Sequence, residues 1–277
     1  MSGYVAALPM YDWPERRADV DAEWATIRDR LRAAGIDAPE RLARRNADLP
    51  PVPGGIRDRD GNPIAPDPGA LPPDEFDLPT LWRHPRLLFS QTCWGPLETT
   101  GLAGLVRIVG QPDYSGVEGG EGELYSSAIV MRSSDPTSGM PEGGGRSSSD
   151  GRAMLPLDLL RGARLAFNDP HSMSGLLGLS RDLEAVGENL AIFSARVETG
   201  GHRYSIRALA DGRADVATID CRSWQLALLH EPAARTLRVV GWTARRKGLP
   251  FITSTTTTDV VMAAFVQVGD SPPHLFA

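Results

Sequence analysis

The densest set of groups able to do chemistry in this 277-residue chain is Phe167-Asn168-Asp169-Pro170-His171-Ser172-Met173-Ser174-Gly175. An apolar run ends at Phe167, Asp-Pro turns the chain, and two serines stand where the next helix begins. Amides in the first turn of a helix have no intrahelical carbonyl to meet, and the helix dipole adds positive potential there. With the Ser172 and Ser174 hydroxyls beside those amides, the segment reads as an anion pocket built without a basic side chain. The other reading of the same position makes Ser172 an ordinary N-cap.

Two further segments carry polar groups at the ends of apolar runs. In Glu198-Thr199-Gly200-Gly201-His202 the paired glycines allow a sharp turn that presents amides to a ligand. His202 falls at the following helix start, either as a ligand contact or as a capping or surface residue. Asp220 closes the apolar run Val216–Ile219, where open α/β sheets place ligand contacts. A carboxylate there either meets a cationic group or caps a helix beginning at Arg222–Ser223. Ser174, a histidine (His171 or His202) and an aspartate supply the residue types of a hydrolase triad. The G-x-S-x-G elbow that exposes such a nucleophile is absent, and two serines at a helix start suit anion holding better than acyl transfer. Trp13 and Trp94 each stand beside a turn after a strand, as a cleft wall for an apolar or quaternary-ammonium tail or as core.

The composition removes other chemistries. Of 29 basic residues all but Lys247 are arginine, so no Walker phosphate loop exists, and Lys247 sits in the basic run Arg245-Arg246-Lys247, where an exposed charge is expected rather than a Schiff base. The net charge of −6 argues against a nucleic-acid binder, and no run of about 18 apolar residues suits a membrane span. The histidines at 84, 171, 202, 230 and 274 form no metal-ligand cluster with Cys93 and Cys221, which are expected as buried thiols rather than a disulfide.

These residues need elements to position them. Val20, Trp24, Ile27, Leu31 and Ala34 recur at helical spacing over 18–34, with Gly35 as the stop. Nine prolines fall within residues 49–79, which predicts a long surface insertion without regular structure. Strands are expected over 4–10, 87–93, 105–109, 124–131, 164–167, 216–219 and 237–243, and a glycine-proline turn at Trp94–Pro96. Helices are expected over 78–84, 156–160, 174–183, 204–210, 223–230 and 258–269. Residues 191–195 read as strand or helix end, and 133–151 as a Ser/Gly-rich mobile loop. Strands alternating with helices predict a mainly parallel sheet covered on both faces.

In order and spacing, Leu8-Pro9-Met10-Tyr11, Gln91-Thr92-Cys93, Tyr125-Ser126-Ser127, His171 to Gly175, Thr199 to His202 and Asp211 to Ala217 resemble the phosphate/phosphite/phosphonate substrate-binding proteins of ABC transporters. The resemblance covers most of the chain outside 43–79. It implies an α/β, type II periplasmic-binding-protein-like fold, two α/β lobes with a hinge and an interlobe cleft. Residues 1–100 with 241–277 would be lobe one, 101–240 lobe two, and 43–79 a Pro-rich insertion within lobe one.

The resemblance also implies a site. Ser172, the Met173 backbone and Ser174 would hold the phosphonate oxygens, with Tyr11, Tyr125 and His202 as further contacts. Asp220 and Glu198 would hold an aminoalkyl group, and Trp94, in place of a smaller residue, would narrow or reshape the pocket. The implied function is binding of a small phosphonate or phosphate-type anion for ABC-type uptake or sensing, with an ABC permease as partner and with no catalytic residue, cofactor or metal. Residues 1–10 show no signal sequence. The expected location is therefore cytoplasmic as the sequence stands, or periplasmic if a leader was removed. The alternative is a cytoplasmic enzyme reusing the fold on a phosphorylated small molecule, as in thiamin-pyrimidine synthesis.

Overall fold

Val20, Trp24, Ile27 and Leu31 fall on one face of the helix Arg17–Ala33, and all four are buried. Gly35 ends that helix with φ near 84°, and the Ile36 amide donates back to the Leu31 carbonyl, 3.0 Å away. Trp24 stacks on Phe89, and Phe89 on Phe251, at ring separations of 6.2 and 5.1 Å. That aromatic row ties the helix to the strands Leu87–Gln91 and Phe251–Ser254. The computed structural model describes residues 3–133, 145–257, 259 and 261–264. Two compact units result: one runs to Pro112 and resumes at Leu249, and the other is Asp113–Gly248. The boundaries fall beyond the expected 100/101 and 240/241 because Val106–Gly110 pairs with Phe251–Ser254 in the first unit.

In the first unit the sheet order is Val5–Ala7, Leu87–Gln91, Phe251–Ser254, Val106–Gly110. In the second it is Ala195–Glu198, Arg164–Phe167, Val216–Asp220, Ser127–Arg132, Leu237–Trp242. Neither sheet is mainly parallel in its pairings, contrary to expectation. One strand in each runs against the rest: Phe251–Ser254 in the first and Ser127–Arg132 in the second. These are the strands on which the chain enters each main sheet from the other unit. No helical crossover within the unit sets their direction, whereas the other strands of the second unit are joined by such crossovers. The sequence reading assigns no element to Phe251–Ser254, because two apolar residues followed by a threonine run carry no alternation.

The nine-proline segment holds regular structure after all. Ile56–Arg57 pairs with Pro63–Ala65, and Leu49, Ile56 and Pro68 are buried. Proline carbonyls cannot be satisfied by a ladder of proline amides, so other donors must reach them. The buried Asn46 donates through Nδ2 to the Pro72 carbonyl (2.8 Å) and accepts the Asp77 amide (2.9 Å). The fully buried His84 meets the Pro50 carbonyl through Nε2 (3.0 Å) and accepts the Arg86 amide at Nδ1 (3.1 Å). Those two partners put the ring proton on Nε2, and burial pushes the His84 pKa down.

Trp94–Thr99 is a short helix rather than the expected turn, since Pro96 lies in its first turn, where no amide hydrogen bond is lost. Over 174–183 the expected helix opens as a wide π-type turn, Met173–Leu177, before Gly178–Ala185. The expected loop over 133–151 and the final helix over 258–269 lie largely outside the described residues. Cys93 and Cys221 are both buried thiols that form no disulfide.

Candidate functional site

The second sheet places its polar residues at one end. Asn168 follows the strand Arg164–Phe167 and Asp220 ends the neighbouring parallel strand Val216–Asp220. After the first of these the chain turns to one side of the sheet, and after the second to the other. Ligands of open α/β sheets sit at such a divergence, beyond the carboxyl ends of the strands. Ser127, the first residue of the reversed strand, pairs with Asp220, so the Tyr125-Ser126-Ser127 segment reaches the same end.

Ser172 and Ser174 are both buried on the turn that follows Asn168. Ser172 is an N-cap: its Oγ accepts the Gly175 amide at 3.1 Å. It also lies 3.4 Å from the Ser174 Oγ. Thr218 Oγ1, from the neighbouring strand, donates to the Gly175 carbonyl at 2.6 Å and pins the turn to the sheet. Gly175 lets the Asn168 side chain approach closely: a Cβ at 175 would stand 1.7 Å from Asn168 Oδ1 and force that side chain to move.

His202 opens the helix His202–Ala210, after Gly201. Thr199 anchors the preceding turn: its amide and hydroxyl both donate to the Phe167 carbonyl, each at 2.9 Å. The His202 Nε2 lies 2.8 Å from Ser174 Oγ and 3.3 Å from Asp220 Oδ2. Asp220 is buried, and its Oδ1 accepts the Ser223 amide at 2.9 Å as N-cap of the helix Cys221–His230. Burial pushes the His202 pKa below the ordinary histidine value, against the opposing pull of the Asp220 charge and the Thr218 carbonyl. The ring is therefore neutral at neutral pH. Burial and the adjacent Asp220 raise the Cys221 thiol far above its ordinary pKa, so it is no thiolate nucleophile.

Ser174, His202 and Asp220 thus come together, but not as a relay. A hydrolase histidine takes a serine proton on one ring nitrogen while the carboxylate holds the other. Here the serine and the carboxylate face the same nitrogen. What the arrangement offers is hydroxyl groups and helix-start amides in front of a neutral imidazole, with the Asp220 carboxylate behind it.

The other residues singled out in the sequence have contacts of their own. Met173 is buried, and its sulfur accepts from Arg181 at 3.7 Å. Tyr125 is buried in a stack on Tyr114, 5.5 Å between ring centres. Glu198 and His171 are exposed and outside the Ser174–His202–Asp220 group. Tyr11 and Trp94 belong to the first unit, Tyr11 buried and Trp94 half-buried.

Two contributors escape sequence reasoning. Thr218 hides within an apolar strand, and Asn168 looks like a turn residue. Arg222, two residues beyond Asp220, is a buried arginine with partners of its own. Its guanidinium lies over the Tyr114 ring at 5.1 Å and donates to the Asp113 carbonyl at 2.7 Å. Among the described residues no group of three or more His, Cys, Asp or Glu is placed to hold a metal ion, and no helix is long and apolar enough to cross a membrane.

Residues 104–269 match a family model described as the periplasmic substrate-binding protein of a phosphonate ABC transporter. No curated protein matches the chain. Among solved structures, PhnD1 of Prochlorococcus marinus in complex with methylphosphonate is 14% identical, with 95% of this chain and 80% of that one covered at a TM-score of 0.58. A binding-protein component of an ABC phosphonate transporter from Pseudomonas aeruginosa is 15% identical, covering 96% and 74% at a TM-score of 0.57. A chloride-bound protein from Xanthomonas citri is also 15% identical, covering 96% and 82% at 0.57. At these identities the likeness is one of fold, the type II periplasmic-binding-protein fold with two α/β units.

Proposed function

The chain belongs to the family of periplasmic substrate-binding proteins of phosphonate ABC transporters, and from that premise we propose that its second unit binds a small phosphonate or phosphate-type anion at the Ser172–Gly175 turn. The family is one of substrate-binding proteins, not of enzymes. The observation that carries the proposal is the 2.8 Å contact of Ser174 Oγ with His202 Nε2 on a buried turn at a helix start. The Ser172 and Ser174 hydroxyls and the amides of Met173 and Ser174 supply the donors, with His202 behind them and Tyr125 at the same end of the sheet. Donors of this kind bind a dianion through charge-assisted hydrogen bonds, each worth about 1.5–3 kcal/mol. The bound anion is destined for uptake through an ABC permease, with sensing as the second use of the same binding.

Calorimetry and thermal unfolding against methylphosphonate, 2-aminoethylphosphonate, inorganic phosphate and simple phosphate esters test this. A ligand that binds only the folded protein raises its unfolding temperature with concentration. Ser174→Ala is expected to weaken binding roughly ten- to a hundredfold, the equivalent of one lost charge-assisted bond. No heat and no thermal shift across the whole panel overturns the ligand class. Unaltered affinity in Ser174→Ala removes the serine from the site.

A further inference from the structure

We propose that Asp220 is a positioning residue: its carboxylate keeps the ring proton of His202 on Nε2, so that the Ser174 hydroxyl directs its own proton toward the bound anion. The inference rests on the reading of the Ser172–Gly175 turn as the anion site. It explains why a buried carboxylate stands behind a site for anions, where its charge alone opposes binding.

The argument runs through donors and acceptors. An ionised carboxylate only accepts hydrogen bonds. Asp220 Oδ1 is occupied by the Ser223 amide, and Oδ2 lies 3.3 Å from His202 Nε2. Were Nε2 bare, its lone pair would face that carboxylate in a site where Asp220 is only 2% exposed. Were the proton on Nδ1, it would be a buried donor without an acceptor, because Nδ1 has no hydrogen-bond partner among the described residues. At Nε2, by contrast, the Asp220 carboxylate is a charged acceptor, which makes a stronger bond to a ring N–H than a neutral one would. Both conditions put the proton on Nε2.

Ser174 Oγ, 2.8 Å from that nitrogen, is then an acceptor of the ring N–H. Ser172 Oγ already accepts the Gly175 amide. Each serine therefore takes an inward hydrogen bond as acceptor; with Ser172 as the donor across the 3.4 Å contact between the two hydroxyls, the Ser174 proton is left to donate outward. The polarity of the site is set by Asp220 and transmitted by His202.

The test is Asp220→Asn. An asparagine that keeps its carbonyl on the Ser223 amide must turn its NH2 toward Nε2, which makes Nε2 an acceptor and moves the ring proton to Nδ1. Nitrogen-15 spectra of histidine-labelled, ligand-free protein, with His202→Ala to identify the signal, are expected to show the Nε2–H form in the wild type and the Nδ1–H form in Asp220→Asn. Calorimetry with methylphosphonate is expected to show a loss of affinity of about tenfold in Asp220→Asn, although a negative charge beside an anion has been removed. That loss is expected to vanish in the Ser174→Ala background, and to be equal for 2-aminoethylphosphonate.

An Nδ1–H ring in the wild type overturns the proposal, and so does equal or tighter methylphosphonate binding by Asp220→Asn. A loss confined to 2-aminoethylphosphonate makes Asp220 a contact for the ammonium group and overturns it as well. If the wild type binds neither compound, the function proposed above fails, while the ring signal of the ligand-free protein still decides the role of Asp220.

Discussion

Two buried histidines, one in each unit, show how the same side chain serves opposite ends. His84 is held between two main-chain groups of the Pro-rich region, the Pro50 carbonyl and the Arg86 amide. Both ring nitrogens are used, and both partners are fixed by the backbone. His202 faces a hydroxyl and a carboxylate through a single nitrogen, 2.8 and 3.3 Å away. Its partners are side chains, one of them a hydroxyl whose hydrogen can be redirected, and it faces the Ser172–Gly175 turn. Burial pushes the pKa of both rings down. A histidine with two main-chain partners is a structural pin, whereas one that shares a nitrogen between side chains is a means of setting the polarity of a site.

Mutation separates the two. The largest effect is expected for His84→Ala, which orphans a buried carbonyl and a buried amide and opens a cavity. Stability should fall by about 3 kcal/mol in denaturant unfolding, with the affinity for methylphosphonate unchanged. An equal loss of affinity would break the comparison. Next comes His202→Ala, for which the expected pattern is reversed: affinity falls at least tenfold by calorimetry, while stability changes by less than about 1 kcal/mol, since water enters to meet Ser174 and Asp220.

The smallest effect is that of pH, and it is common to both rings. A histidine whose folded pKa is depressed adds stability above its unfolded value of about 6.5, and that stability is lost as pH falls from there through the folded value. Carboxylates such as Asp215, held low by Arg164, lose theirs only at more acidic pH. The thermal midpoint is therefore expected to drop between about pH 7 and pH 5, by less in His84→Ala than in the wild type. A flat midpoint over that range shows that neither ring is held neutral by the fold.

Much of this is written locally in the chain. The Val20–Leu31 stripe, the strands that end at Phe167 and Asp220, and the serine pair before a helix are each visible as short-range patterns. Local patterns reflect spacing on one element, so they also mark Ser172 as an N-cap and Asp220 as a cap for the next helix. Both residues are indeed caps, and both belong to the candidate site as well. Patterns fail where one element's needs are met by another. Asn46 and His84 supply the hydrogen bonds that proline cannot, and neither residue type advertises this in sequence. Phe251–Ser254 is held as a central strand by Leu87–Gln91 and Val106–Gly110, not by its own alternation.

From the sequence alone came the α/β class, the absence of a lysine-based phosphate site, and a serine turn at a helix start, because composition and period are properties of one stretch of chain. Only the tertiary structure decided that Ser174 and Asp220 share one nitrogen of His202, that one strand of each sheet runs backward, and that the Pro-rich segment is pinned. Those outcomes depend on which groups remain unsatisfied once distant segments meet. A hydrogen-bond donor's partner is chosen in three dimensions, and residue spacing along the chain does not record the choice.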